Sequence, residues 1–544
     1  MIKTMKRIRN LALCAFGLLA FVLGSCDDDA FERLNTDPTK ATKIDPNLQF
    51  STCEAQVWGY WIYQETALKY MAPFCQYLMG DWGITNYGGQ YLKNTQYMGY
   101  IYEKMYPLTV KELVDIINKT SSTKHRNLHY MARIFKVYVF GIITDVYGDV
   151  PYSEAGKGYI EGIVQPKFDK QEDIYKDFMN ELQVAADSLD TKSEEQVSGD
   201  IIYNGDVKKW KKLANSLHLR YALRMVNAAP ELAKQEAIKA THNEEGIIDT
   251  SADEALVKYV SNLFDWTNEE YRRSGIAQLM RGREEYPTMY ICSTFFNHLE
   301  ETEDPRLFVY CRTYDESSPN APLERHDITD EMRDPSSNAK FQPVEPGFFW
   351  YDKWPSGYWS KIAKKWVMKE CRPQVNNIFL QLTSPGVIMT YAETQLLLAE
   401  AVARWGADVG SESVSALYGK GVRAAFHFLE KFGADKFNDS DIDGYLSANG
   451  VPDDLEGQLK AINTQLWILH FNNLWEGYSN WRRSGYPQLK PSPEYGAKCI
   501  NSQETPLRLC YPIFESSYNK ASYDEAIQRL GGSDNWNKPV WWAK

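Results

Sequence analysis

Tyr391-Ala392-Glu393-Thr394-Gln395-Leu396-Leu397-Leu398-Ala399-Glu400-Ala401 is apolar on nearly every side of a helical wheel, and the pattern continues to Trp405 before Gly406 stops it. Leu417 to Phe428 then supplies a second helical stretch. Two helices of this size with a short connection read as a hairpin of tetratricopeptide dimensions. Such a unit cannot bury its apolar face alone and must stack on others. The same spacing of three and four recurs upstream. Leu128, Met131, Phe135, Tyr138, Ile142 and Val146 lead to the breakers Gly148 and Pro151. Ile174, Phe178, Leu182, Ala185 and Leu189 form a second series, and Trp210, Leu213, Leu217, Tyr221 and Met225 a third, before Pro230. The expected fold class is therefore mostly α: a helical-repeat, tetratricopeptide-like scaffold with an irregular, loop-rich region packed on it.

That irregular region spans about 240–385. It is rich in Pro, Gly, Tyr and Trp, as in Phe348-Phe349-Trp350-Tyr351-Asp352-Lys353-Trp354-Pro355-Ser356-Gly357-Tyr358-Trp359. Gly80-Asp81-Trp82-Gly83-Ile84-Thr85-Asn86-Tyr87-Gly88-Gly89 has the same character, and long loops inside a compact protein are usually functional. Near the end, Leu530-Gly531-Gly532-Ser533-Asp534-Asn535 links to the apolar tip Val540-Trp541-Trp542.

Composition narrows the function classes. The 544 residues carry 60 Lys and Arg against 72 Asp and Glu, a formal charge of -12, which argues against a general nucleic-acid binder. The 35 Tyr and 16 Trp together far exceed 23 Phe, and Tyr and Trp are the rings that combine an apolar face with a polar handle. An interaction surface is the natural use for such a surplus.

The first residues specify an address. Lys3, Lys6, Arg7 and Arg9 precede an apolar run from Leu11 to Leu23, too short to span about 30 Å of hydrocarbon, and Leu23-Gly24-Ser25-Cys26 follows as a lipobox. Residues 1–25 are read as a lipoprotein signal peptide and Cys26 as the lipidated first residue. Removing four positive charges takes the mature chain from -12 to -16. Asp27, Asp28 and Asp29 resemble the surface-export signal of Bacteroidota lipoproteins. Residues 26–48 then form the anchor and tether, and 49–544 a single body. No later run reaches 18 apolar residues. Seven cysteines follow Cys26 (Cys53, Cys75, Cys292, Cys311, Cys371, Cys499 and Cys510), an odd number at wide spacings that makes neither a disulfide framework nor a zinc site. A bridge between Cys499 and Cys510 stays open at this level.

Motifs for catalysis are missing: there is no Gly-x-Ser-x-Gly elbow, no phosphate-binding Gly-x4-Gly-Lys-Ser/Thr loop and no Asp-x-Asp-x-Asp-Gly calcium loop. Gly419-Lys420-Gly421-Val422-Arg423-Ala424 fits a dinucleotide fingerprint in form but follows helical sequence where a strand is needed. His125 and His129 lack the intervening glutamate of a zinc hydrolase. No metal or cofactor is expected, and no enzymatic activity. Carboxylate pairs for glycoside hydrolysis are set by distance across a cleft and stay open. Aromatic rings, in contrast, suit sugars: a pyranose has an apolar C–H face that stacks on a flat ring while neighbouring amides bond its hydroxyls. The candidate ligand-binding residues are Trp82, Asn86 and Tyr87 in the early loop and Trp266, Trp350, Trp354 and Trp359 in the irregular region.

Several segments together resemble the SusD/RagB family, the starch-utilisation-type nutrient-binding lipoproteins of the outer membrane. They are Asn35-Thr36-Asp37-Pro38, Tyr147-Gly148-Asp149-Val150-Pro151-Tyr152-Ser153-Glu154-Ala155, Trp210-Lys211-Lys212-Leu213-Ala214-Asn215-Ser216-Leu217 and Asp304-Pro305-Arg306-Leu307. Tyr391-Ala392-Glu393 through Glu400-Ala401, Trp481-Arg482-Arg483-Ser484-Gly485-Tyr486-Pro487 and Val540-Trp541-Trp542 complete the set. The resemblance implies four tetratricopeptide-like units, a surface-exposed, lipid-anchored place at the outer membrane, and capture of an oligosaccharide, or in some members a peptide. The partner it implies is a SusC-like TonB-dependent barrel. Its motifs look like fold determinants, so Arg482, Arg483, Asp149 and Tyr152 are expected to serve the scaffold. Competing readings are a surface glycoside hydrolase or lyase, and a helical adaptor that only gates the barrel.

Overall fold

Four pairs of consecutive helices build the body among the described residues. In chain order they are α1 (Lys111–Thr120) with α2 (Arg126–Tyr147), α3 (Gln171–Ser188) with α4 (Val207–Arg224), α5 (Tyr391–Trp405) with α6 (Val414–Glu430), and α7 (Leu455–Leu469) with α8 (Leu474–Ser484). The computed structural model describes residues 44–80, 82–122, 124–262, 271–282, 289–312, 343–348, 357–360, 365–368 and 373–544. Pro46–Lys544 is one compact unit. Cys26, the expected anchor, and the expected tether as far as residue 43 lie outside the described residues, and the last tether residues, Pro46 to Leu48, open the helix Pro46–Gly59.

Local chemistry sets the helix ends. Thr390 Oγ1 accepts from the Glu393 N–H at 3.0 Å to start α5, and Gly406, at φ +61°, ends it. Asp206 caps α4, Ser413 caps α6 and Asp454 caps α7 in the same way. Pro230, read as a stop after α4, occupies the first position of the next helix, Pro230–Thr241, where its missing N–H costs nothing.

Each pair packs on the next, α2 on α3, α4 on α5 and α5 on α7, and α8 returns to α2. Buried charge joins them. Glu393 and Glu400 are seven residues apart, two turns of α5, so they share one side of the helix. Glu393 takes Arg220 of α4 in a two-point contact at 2.7 and 2.8 Å, and Glu400 takes Arg483 of α8 at 2.5 and 2.7 Å. Arg224 of α4 pairs with Glu476 of α8. The guanidinium of Arg482 lies over the rings of Tyr478 at 3.9 Å and Trp542 at 4.8 Å. Both arginines of the Arg482-Arg483 motif are buried scaffold, as expected, and so is the apolar tip: Trp542 is fully buried and donates its Nε1 to Asp145 at 2.9 Å.

The stretch from 240 to 385 is less irregular than its composition suggests. It contains the helices Gly275–Gly282 and Ser293–Glu301 and most of a small antiparallel sheet. The strands are β1 (Leu78–Met79), β2 (Tyr290–Ile291), β3 (Cys311–Arg312) and β6 (Gln374–Val375), in the order β1-β2-β6-β3. A separate hairpin joins β4 (Gly357–Ser360) to β5 (Lys365–Met368). The sheet rests on an aromatic core in which Tyr77 stacks on Trp467 at 5.5 Å and Phe295 on Phe471 at 5.1 Å. Much of the aromatic surplus is therefore interior. Among the described residues no helix is long and apolar enough to cross a membrane.

Candidate functional site: two loops joined at Thr85

β1 pairs with β2 in the register Leu78↔Ile291 and Met79↔Tyr290. Gly80, at φ +107°, turns the chain out of the strand, a backbone conformation that glycine adopts without a Cβ clash. One helical turn, Trp82–Ile84, then runs into a wide π turn, Thr85–Gly89, a geometry that recurs at functional sites.

Thr85 holds this loop against a second one. Its side chain is fully buried; Oγ1 accepts from the Gly80 N–H at 2.8 Å and donates to the Phe348 carbonyl at 2.6 Å. Gln90 Nε2 donates to the Gly347 carbonyl at 3.3 Å, and Met79 Sδ accepts from the Gly347 N–H at 3.4 Å. The early loop and the segment 343–348, which leads straight into the aromatic run, thus meet across 263 residues of chain.

The second segment is pinned from its other side as well. Val344 bridges Cys292, the Ser293 N–H donates to the Val344 carbonyl at 2.7 Å, and Ser293 Oγ donates to Glu345 at 2.8 Å. A turn closes with the Phe348 N–H on the Glu345 carbonyl at 2.9 Å, and the half-buried Phe348 ring stands edge-on to Tyr290, 6.5 Å between centroids. Gly347 has φ +76°, and a Cβ there would sit 2.3 Å from Ala497 Cβ and 3.1 Å from the Gly89 carbonyl. Only glycine fits where these three segments converge.

The candidates fall into four groups. Trp82 opens the helical turn, and half-buried Asn86 lies in the π turn beside it. Tyr87 is different. It is only 6% exposed, packed against Tyr97 at 5.0 Å and Tyr70 at 6.3 Å, with the Lys69 ammonium 3.5 Å over Tyr97 and 5.6 Å over Tyr87. Burial raises its phenol above the ordinary value. Its ring supports the loop from within. Trp359 is in β4, in register with Trp366 of β5. Trp266, Trp350 and Trp354 lie outside the described residues. The residues that unite the loops, Thr85, Gln90 and Phe348, are additions to the list. Phe348 heads the aromatic run and was visible in sequence; Thr85 and Gln90 carry no local signal.

The other sequence features serve the structure. Asp149 accepts from the Gln171 N–H at 2.8 Å and pairs with Arg529, and Tyr152 donates to Asp177 at 2.6 Å, so both hold the exit of α2. His129 Nδ1 bonds Thr120 Oγ1 at 3.0 Å, and Gly419–Ala424 lies inside α6, not after a strand. Cys499 and Cys510 are unbridged, and burial pushes the Cys499 thiol up to about 12. Among the described residues no group of His, Cys, Asp or Glu is gathered to hold a metal ion. Among the described residues, the early loop and the segment 343–348 brace one another through Thr85, Gln90 and Met79.

Comparison with known proteins agrees with this geometry. A family profile described as SusD-like, starch-binding and associating with outer membrane, matches residues 60–512. A Bacteroidetes AC2a SusD-like structure is 33% identical, with TM-score 0.84, covering 92% of this chain and 100% of its own. A structure named as a chitin-binding protein is 32% identical, with TM-score 0.77 and the same coverage. A SusD homologue from Bacteroides uniformis shares the fold at 23% identity and TM-score 0.72, covering 92% of this chain and 100% of its own. No curated protein matches the chain. With its profile match, its fold and its relatives in accord, the chain belongs to the SusD-like family, which the profile describes as starch-binding and associating with the outer membrane.

Proposed function

We propose that the protein is a cell-surface glycan-binding lipoprotein. Lipid on Cys26 holds it to the outer membrane. The loops bearing Trp82, Asn86, Trp350 and Trp354, with Trp266 and with Trp359 of β4, take an oligosaccharide while Tyr87 braces the early loop, and a SusC-like TonB-dependent barrel receives the cargo. The observation that carries the reading is the Thr85 junction, which ties the early loop to Phe348 at the head of the aromatic run. A preformed platform of this kind stacks sugar faces with little loss of loop entropy.

The relative named as chitin-binding makes chito-oligosaccharides the first ligands to try. Calorimetry of the full chain against chito- and malto-oligosaccharides should give dissociation constants between micromolar and millimolar, about -8 to -4 kcal/mol. Replacing Trp82 and Trp359 together by Ala should weaken binding by about 1 to 3 kcal/mol, the worth of two stacked rings. Binding of a peptide in place of every saccharide, indifference to the double replacement, or release of new reducing ends would each overturn the reading.

A further inference from the structure

Away from the two loops, an open cavity of about 430 Å³ lies between the exit of α2, the first turn of α3 and the segment leading to Trp541. That volume falls within the range of small-ligand sites. Lys170, Arg508, Arg529 and Lys538 line it, with half-buried Trp541 in its wall. In a chain of net charge -12 this gathering of cations is out of keeping with the whole.

The acids at the cavity are already engaged. Asp149 pairs with Arg529 at 2.5 Å, and Glu172 with Lys176 at 2.6 Å. Lys170 and Lys538 have no carboxylate partner among the described residues. Arg508 is fully buried. Its Nε donates to the Tyr147 carbonyl at 3.0 Å and its Nη1 to Asp534 at 2.5 Å, but its Nη2 has no hydrogen-bond partner. Its guanidinium is closed to solvent but lines the cavity as a buried positive charge, which favours an anion there.

A second open cavity, about 470 Å³ beside α6, provides an internal contrast. Its cations are all spoken for: Lys420 by Glu412, Arg423 by Asp439 and Asp443, and Lys431 by Glu254. Of these two cavities, the first combines unpaired lysines, an unsatisfied buried arginine nitrogen and an indole.

We propose that the Arg508–Lys538 cavity binds an anionic saccharide. The carboxylate or sulfate of one sugar residue is held by Lys170 and Lys538 in the field of the buried Arg508 guanidinium, and its apolar ring face lies on Trp541. That the anion belongs to a sugar rests on the glycan-binding reading; the cationic character of the cavity does not.

The test is calorimetry on the full chain with four probes: a glucuronate-containing disaccharide, its neutral glucose counterpart, sodium sulfate and a hexaglutamate peptide. The charged disaccharide should bind at least about tenfold more tightly than the neutral one and weaken at high salt, as an ion-dependent contact must. The variant carrying Lys170→Gln and Lys538→Gln, both at exposed positions, should lose about tenfold in that affinity while its melting temperature and its chito-oligosaccharide binding stay unchanged. Equal binding of the two disaccharides, or an unaffected variant, overturns the proposal. So does sulfate or hexaglutamate binding as tightly as the charged sugar. Failure here with the tryptophan-dependent glycan binding intact removes this cavity only; absence of saccharide binding of either kind removes the broader reading too.

Discussion

Glu400→Gln keeps the size of a buried side chain and deletes its charge. Glu400 is fully buried and contacts Arg483 at 2.5 and 2.7 Å, Arg404 at 2.9 Å and Asn463 at 3.1 Å. Burial by itself raises the Glu400 carboxyl, but the guanidiniums of Arg483 and then Arg404 outweigh it and hold the group at about 2 against an ordinary 4.5. That lowering corresponds to roughly 3 kcal/mol of folding free energy. A carboxyl made more acidic by folding stabilises fully above its unfolded value near 4.5, and the stabilisation is lost as pH falls toward 2. At pH 3 roughly 1 of those 3 kcal/mol remains. The Gln variant also leaves the Arg483 charge buried with neutral amide oxygens alone as acceptors, its own and those of Asn463 and Asn480, so it should be destabilised by about 3 to 5 kcal/mol at pH 7. Urea unfolding of both proteins at pH 7 and pH 3, followed by tryptophan fluorescence, measures the gap. It should narrow by about 2 kcal/mol at the lower pH. A gap under about 1 kcal/mol at pH 7, or one unchanged at pH 3, would refute the view that this pair clamps α5 to α8.

The Thr85 junction yields two further expectations. Thr85→Val removes a buried hydroxyl that both accepts and donates, so it should cost about 1 to 3 kcal/mol of stability and weaken glycan binding, with Thr85→Ser restoring both; calorimetry and thermal unfolding on the three proteins decide. Gly347→Ala places a methyl 2.3 Å from Ala497 Cβ at a positive φ and should cost about 1 to 3 kcal/mol. Adding Ala497→Gly should recover part of that, which thermal unfolding of the double variant reads directly. Because Cys499 and Cys510 are unbridged, a non-reducing digest should contain no peptide joining them, and mass spectrometry settles the matter.

Where each feature was visible follows from the range of the interaction that produces it. Helices α2, α3, α4, α5 and α6 were read correctly because amphipathic periodicity and glycine stops act within a few turns. Pro230 was read only as a stop, since a proline ends one helix and begins another with the same ring. Tyr87 and Trp82 sit five residues apart in one glycine-rich loop, and nothing in that loop says that Tyr70, Tyr97 and Lys69 enclose the Tyr87 ring.

The amino-acid sequence by itself determined the class of the body, the basic-apolar-lipobox layout of its start and the ordered motifs that resemble SusD-type proteins, all of them local patterns or strings of local patterns. Tertiary structure decided which partner each motif residue takes. Glu393 and Glu400 look alike in the opening stretch, yet one is claimed by Arg220 and the other by Arg483, because two turns along α5 carry the same helix face from α4 to α8. The meeting of Thr85 with Phe348 is likewise a product of packing. A hydrogen bond across 263 residues leaves no periodicity to read, and it exists only once β1 and β2 have brought their loops to the same edge.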